Sequence, residues 1–246
     1  MTGKSNIFNY SILLIIISFI ALINSIYINN PYFFTLYIFS VITSTISTKY
    51  GIKFIKKYNI SQTIRTEGPS SHLSKSNTPT MGGLLIIPLF FLIISCVSII
   101  SFKFKLAFLI TILGFFLIGF IDDYLSIKNH INLGLKSKEK LILQIFFASF
   151  FVIFLFNNNL INSNLIFFND LTINFKNFII PISIITIIAL SNSVNLTDGL
   201  DGLAAGCSSI VFCGLGTEIL LSNDKNYLMF SFLSFCMSGL CLGFLK

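Results

Sequence analysis

The chain has 246 residues, of which 54% are hydrophobic and only 10% charged, with a mean hydropathy of +0.89. A soluble domain carries about 25% charge, so this composition excludes a soluble globular enzyme and describes an integral membrane protein. The net charge of +7 does not point to nucleic acid, because no basic, aromatic-interleaved soluble domain exists to hold it.

A spanning helix needs about 20 apolar residues. In chain order the candidate spans are 8–28, 32–48, 82–101, 106–121, 141–156, 178–194, 203–221 and 227–245. The expected fold is all-α: a polytopic membrane helix bundle with seven or eight transmembrane helices, forming a single membrane-embedded domain over 1–246. The first segment can either span or lie in the interface, since only Lys4 precedes it and the link to the second is uncharged. No small-residue cleavage site follows it, so a cleaved signal is not expected.

Lys49, Lys53, Lys56, Lys57, Arg65 and Lys75 share the loop at about 49–81, and Lys128, Lys136, Lys138 and Lys140 share the loop at about 122–140. Positive-inside bias places both loops in the cytoplasm. Alternation of spans then sends 102–105, 157–177 and 222–226 outward and returns 195–202 to the cytoplasmic face. Weak polar–apolar alternation in 157–177 allows a short amphipathic piece there. The five cysteines lie in or beside apolar runs without CxxC spacing and read as packing thiols. Gly202/Gly206 and Gly239/Gly243 recur at helical spacing and read as close-packing faces. Gly114 and Gly119 would let a neighbour approach the helix that leads to Asp122.

Two polar clusters stand out against this background. Asp122 and Asp123 close the apolar run GFFLIGFI, and residues 192–204 read NSVNLTDGLDGLA. A charge at the bilayer centre costs at least about 2.5–3.5 kcal/mol, so carboxylates bordering spans are functional candidates. Adjacent acids at a helix C-terminus repel each other and the helix dipole, which calls for a metal, a lysine or another cation in answer. Asn192, Asn195, Asp198 and Asp201 recur every third residue, giving a polar stripe along one side of a helical end. That stripe offers donors and acceptors for a nucleobase or sugar and oxygens for magnesium. A third block, GPSSHLSKSNTPTMGG, puts Lys75 in reach of a phosphate. His72 within it reads equally well as a structural hydrogen bonder.

Together the blocks SHLSKSNTPTMGG, GFIDDY with the downstream GLKSKEKLILQ, and NSVNLTDGLDGLA resemble the phospho-N-acetylmuramoyl-pentapeptide transferase family, a branch of the polyprenyl-phosphate sugar-phosphate transferases. The resemblance implies a reaction of UDP-N-acetylmuramoyl-pentapeptide with undecaprenyl phosphate, giving lipid I and UMP with Mg2+. It implies a multi-pass protein of the bacterial cytoplasmic (inner) membrane with its site on the cytoplasmic face, and about ten helices in the complete fold. By motif position, Asp122 and Asp123 match the paired acids, one of them a base or positioner for the lipid phosphate and both of them candidate metal ligands. Asn195, Leu196, Asp198, Gly199 and Asp201 match the nucleoside-facing block, and Lys75 and Lys140 the basic residues near the diphosphate.

The resemblance also implies a later cytoplasmic block whose Asp is the principal magnesium ligand, followed by a His-rich block; neither occurs in these residues. A chain of residues 1–246 alone is therefore expected to insert without making lipid I. Its last helix is expected to meet lipid or another copy through Gly239 and Gly243, which leaves a homodimer open. Alternatives are an inactive truncated remnant, a related polyprenyl-phosphate N-acetylhexosamine-phosphate transferase and, remotely, an ion-coupled transporter. Transporter acids lie near the membrane midplane, whereas these are expected at cytoplasmic helix ends. The expected site joins Lys75, Asp122, Asp123, Asn195, Asp198 and Asp201 around one cavity.

Overall fold

Long runs of Ile, Leu and Phe, broken by short polar links, fold into helices because the bilayer offers backbone groups no other partners. The computed structural model describes residues 2–57, 81–96, 101–129, 134–166, 172–198, 202–222 and 227–245. The helices are α1 (Thr2–Tyr27), α2 (Pro31–Lys57), α3 (Gly83–Cys96), α4 (Phe102–Asn129), α5 (Ser137–Asn157), α6 (Ile179–Thr197), α7 (Leu203–Leu221) and α8 (Leu228–Phe244). Five are long and apolar enough to cross a membrane: those within α1, α4, α5, α6 and α7. Helices α3 and α8 are apolar but shorter. Helix α2 is long but rich in Ser, Thr and Lys.

The eight segments match the spans read from the sequence, but three helices run well past their expected C-terminal ends. Helix α2 continues to Lys57, α4 to Asn129 and α6 to Thr197. The extensions carry no Gly or Pro apart from Gly51, so nothing in them stops a helix. A second difference lies in the 157–177 link, which holds an antiparallel hairpin, β1 (Asn164–Ile166) with β2 (Thr172–Asn174), pairing Leu165 with Ile173. The alternation there has the period of a strand rather than that of an amphipathic helix.

The chain divides into two compact units, Met1–Ile100 with Thr197–Lys246, and Ser101–Leu196. In the first unit α8 is the central element, packed on α2 and α7. Its small residues face α2: a Cβ on Gly239 would lie 2.8 Å from the Tyr37 carbonyl, and one on Gly243 would run into the Val41 carbonyl. Across this contact Ser44 donates to the Leu240 carbonyl at 2.6 Å. On the other side of α8, Ser231 donates to the Gly216 carbonyl at 2.7 Å and Ser238 to the Ser209 carbonyl at 2.8 Å. The Ser and Thr residues that lower the hydropathy of α2 thus lie in part on its buried face. The expectation that Gly239 and Gly243 would meet lipid or another copy is corrected, because both are taken up by α2.

Helix α1 belongs to this unit. Ser18 and Tyr37 hydroxyls lie 3.3 Å apart, and Asn24 donates to Thr217 of α7 at 3.2 Å. These bonds fix the first segment as a packed member of the helix bundle. Asn29, in the left-handed region at φ 54, turns the chain from α1 into α2, a conformation asparagine tolerates well.

In the second unit α4 packs on α5. Gly114 leaves room for the Phe147 ring, which a Cβ would overlap, whereas Gly119 faces no atom within 4 Å among the described residues. Only the first of the two glycines therefore serves the close approach expected of both. Phe104, Phe108 and Phe151 extend the contact, with ring centroids 5.7–6.2 Å apart. Exposed large side chains such as Phe146 and Ile142 on α5 and Ile185 on α6 match a lipid environment, where they carry no aqueous exposure cost.

Candidate functional site

Asp122 and Asp123 sit seven and six positions before the end of α4 at Asn129, about two helical turns. The expectation of a C-terminal pair is corrected on this point. The helix continues through YLSIKN, and the dipole acts mainly within the last turn. The charge that answers Asp122 comes from the chain beyond α4.

After the link, residues 134–140 return to α4. Gly134 lies against Asp122 so closely that a Cβ would overlap both its backbone carbonyl and its carboxylate. Leu135 N–H then donates to Asp122 Oδ1 at 2.8 Å, and Lys140 Nζ donates to Oδ2 at 2.9 Å. Both carboxylate oxygens are engaged by charge-assisted bonds, the stronger class of hydrogen bond. The Lys136 N–H donates to Glu139 at 3.2 Å and so ties the start of α5.

The location of Lys140 is informative in itself. It lies in the opening turns of α5, where the helix dipole disfavours a cation. Asp122 offsets that cost and holds the ammonium partly buried between α4 and α5. Gly134→Ala should separate this pair. Overpacking of this kind costs about 1–3 kcal/mol; the expected readout is a lowered unfolding temperature in detergent together with reduced turnover. Wild-type behaviour in both would show that the approach of residue 134 is not needed.

The polar stripe of α6 is split by its surroundings. Asn192 faces α5, where Gln144 Nε2 donates to its Oδ1 at 3.1 Å and its own Nδ2 donates back to Gln144 Oε1 at 3.2 Å. Asn195 and Leu196 are exposed on the last turn of α6, and Asp198 is exposed in the turn that follows. Lys75, Gly199 and Asp201 lie outside the described residues. Of the predicted residues, then, the structure brings Asp122 and Lys140 into direct contact. Asp123 is part-buried beside Asp122 and is also engaged.

Sequence reasoning passed over Gln144. The signal was present: one carboxamide inside the apolar run LILQIFF, four residues after Lys140. A polar side chain within a span needs a partner, and Asn192 on the facing helix supplies it.

The fold is that of a multi-pass helical membrane protein, and it carries an acid–lysine pair, Asp122 with Lys140. The family model for glycosyl transferase family 4 matches residues 105–246. Signature 1 of phospho-N-acetylmuramoyl-pentapeptide-transferase matches residues 75–87. A phospho-N-acetylmuramoyl-pentapeptide-transferase of Prochlorococcus marinus (strain MIT 9215) is 50% identical over 247 residues, covering 100% of this chain and 69% of the relative. One from Halalkalibacterium halodurans is 42% identical over 213 residues, covering 85% of this chain and 64% of the relative. The chain belongs to the phospho-N-acetylmuramoyl-pentapeptide transferase family.

Proposed function

We propose that the chain transfers phospho-N-acetylmuramoyl-pentapeptide from its UDP carrier to undecaprenyl phosphate, giving lipid I and UMP, at the cytoplasmic face of the bacterial inner membrane. The observation that carries the reading is whole-chain similarity to relatives of that name, joined to a charge-paired Lys140 beside two acids. The lysine-rich segments that flank the acids support the cytoplasmic face.

The chemistry replaces one phosphoanhydride bond by another. An oxygen of the lipid phosphate forms a bond to the phosphorus that carries the sugar. The bond from that phosphorus to the bridging oxygen breaks, and the oxygen leaves with UMP. Little covalent work falls to the protein, so positioning and charge neutralisation supply most of the rate. A lysine ammonium has three N–H donors; the one given to Asp122 leaves two for diphosphate oxygens. Asp122, with both oxygens engaged, holds Lys140 and the 134–136 turn in place. One of Asp122 and Asp123 meets the lipid phosphate as base or positioner. Asn195, Leu196, Asp198, Gly199 and Asp201 are assigned to the nucleoside and Lys75 to the diphosphate.

Magnesium commonly binds through one or two carboxylates plus substrate phosphates. The adjacent acids fit that pattern: a carboxylate has about four lone-pair sites, and two of those on Asp122 are used. Asp122 and Asp123 would hold the ion, which would neutralise diphosphate charge.

The test is turnover of Asp123→Asn and Asp198→Asn in the complete protein, assayed by UMP release. Each should fall by a factor of tens or more while membrane insertion stays intact, because removing a charge from a residue that borders a span does not hinder insertion. Near-normal lipid I synthesis in both variants would overturn the assigned roles.

A further inference from the structure

We infer that Gln144 and Asn192 are positioning residues: their reciprocal amide pair sets the rotation and depth of α6 against α5, and so holds Asn195 level with Lys140. The inference rests on the transferase reading for its consequence, and on the structure for its geometry.

The two helices are antiparallel. Gln144 meets Asn192 near one end, while Val152 and Leu155 of α5 line an apolar cleft with Ile179, Ile182 and Ser183 of α6 further along. Higher numbers on α5 thus pair with lower numbers on α6. From the clamp toward the acid-bearing end, Lys140 lies four residues away on α5 and Asn195 three residues away on α6. At a rise of 1.5 Å per residue these are about 6 Å and about 4.5 Å, so the two side chains sit at nearly one depth. Three residues on a helix also keep Asn192 and Asn195 on the same side.

The plainer reading is that the pair is interhelical glue, which polar residues in spans often are. Two observations argue for more. First, α6 reads IIPISIITIIALSNSVNLT, an apolar stretch so uniform in isoleucine that packing alone defines its rotation weakly. A polar pair between helices, here part-buried, fixes register where apolar contacts are degenerate. Second, Gln144 is only 2% exposed and lies one turn from Lys140, the cation held by Asp122. Glue could sit at any depth; this pair sits next to the charged residues whose placement matters.

The experiment uses the complete protein in native membranes and compares wild type, Gln144→Leu, and the exchanged pair Gln144→Asn with Asn192→Gln, which keeps both amides and their combined length. In each background, Lys140→Cys and Asn195→Cys are added in a separate sample and treated with a bismaleimide of about one interhelical distance, roughly 10 Å. Cross-linking should be efficient in the wild-type and exchanged backgrounds and lost with Gln144→Leu. Without the added cysteines, kcat for UMP release should fall ten- to a hundredfold in Gln144→Leu, as expected for a displaced catalytic group, with a smaller change in KM for the UDP substrate, and recover in the exchanged pair. Unchanged cross-linking and kcat in Gln144→Leu, or an exchanged pair no better than Gln144→Leu, would overturn the clamp. If the wild-type protein released no UMP, the transferase reading would fail, and the cross-linking result would still decide the clamp.

Discussion

Replacing Asp122 with Asn in the complete protein should lower UMP release on the order of a hundredfold, the scale seen when one preorganised electrostatic contact is lost from an active site. The amide can still accept the Leu135 N–H that now reaches Oδ1 at 2.8 Å. It cannot answer the Lys140 ammonium, 2.9 Å from Oδ2. Lys140 would then sit in the first turns of α5 without its counter-charge, against the helix dipole, and would turn toward water. Lys140→Met should produce a similar loss from the other side. Because both changes break one unit, the double variant should be little worse than either single one. Fully multiplicative losses would show that Asp122 and Lys140 act independently, and that the ion pair is incidental to catalysis.

The candidate residues that could be read from the sequence are those whose chemistry conflicts with their setting. Asp122, Asp123, Asn195 and Asp198 stand out because carboxylates and carboxamides beside apolar runs call for a partner. Helix number was equally legible, since the bilayer fixes the length of an apolar run. The ends of helices were not. Once a helix leaves the apolar run, hydropathy carries no information, and α4 continues past Asp123 to Asn129 because nothing in that stretch breaks it. The repulsion expected from a helix end therefore falls away, while the expected answering cation is found for Asp122 in Lys140. The return of Gly134 onto Asp122 was also hidden, because a glycine's close contact depends on which segment folds back over it. Gln144 was visible but unremarked: its significance needed Asn192 on the facing helix, which no local pattern supplies. The pairing of 164–166 with 172–174 was missed because the weak alternation of the link shows only an amphipathic piece, and which strand pairs with which is not a local pattern.

Gly243→Leu should do the most damage to the fold. Helix α8 crosses α2 so closely that a Cβ at this position would strike the Val41 carbonyl and lie 2.6 Å from Ser44 Cβ and 2.9 Å from the Thr45 nitrogen. Two of those three atoms are backbone, so no side-chain rotation relieves the overlap. The helices must separate, and separation breaks the 2.6 Å bond from Ser44 to the Leu240 carbonyl and opens the contact around Tyr37 and Leu242, which are fully buried. Overpacking costs about 1–3 kcal/mol, and a lost hydrogen bond adds about 0.5–1.5 kcal/mol. For a chain of this size each kcal/mol moves the unfolding midpoint by about 2–4 °C, so a fall on the order of 10 °C is expected in detergent. Gly214→Ala is the matched comparison. It lies inside α7, and an added Cβ there meets no described atom within 4 Å. Removing glycine's backbone freedom at such a site stabilises by about 0.4–1 kcal/mol, so its midpoint should hold or rise slightly. Equal midpoints for the two variants would mean that the α2–α8 crossing is not held by glycine contact, and that α8 owes its central place in this unit to its apolar side chains alone.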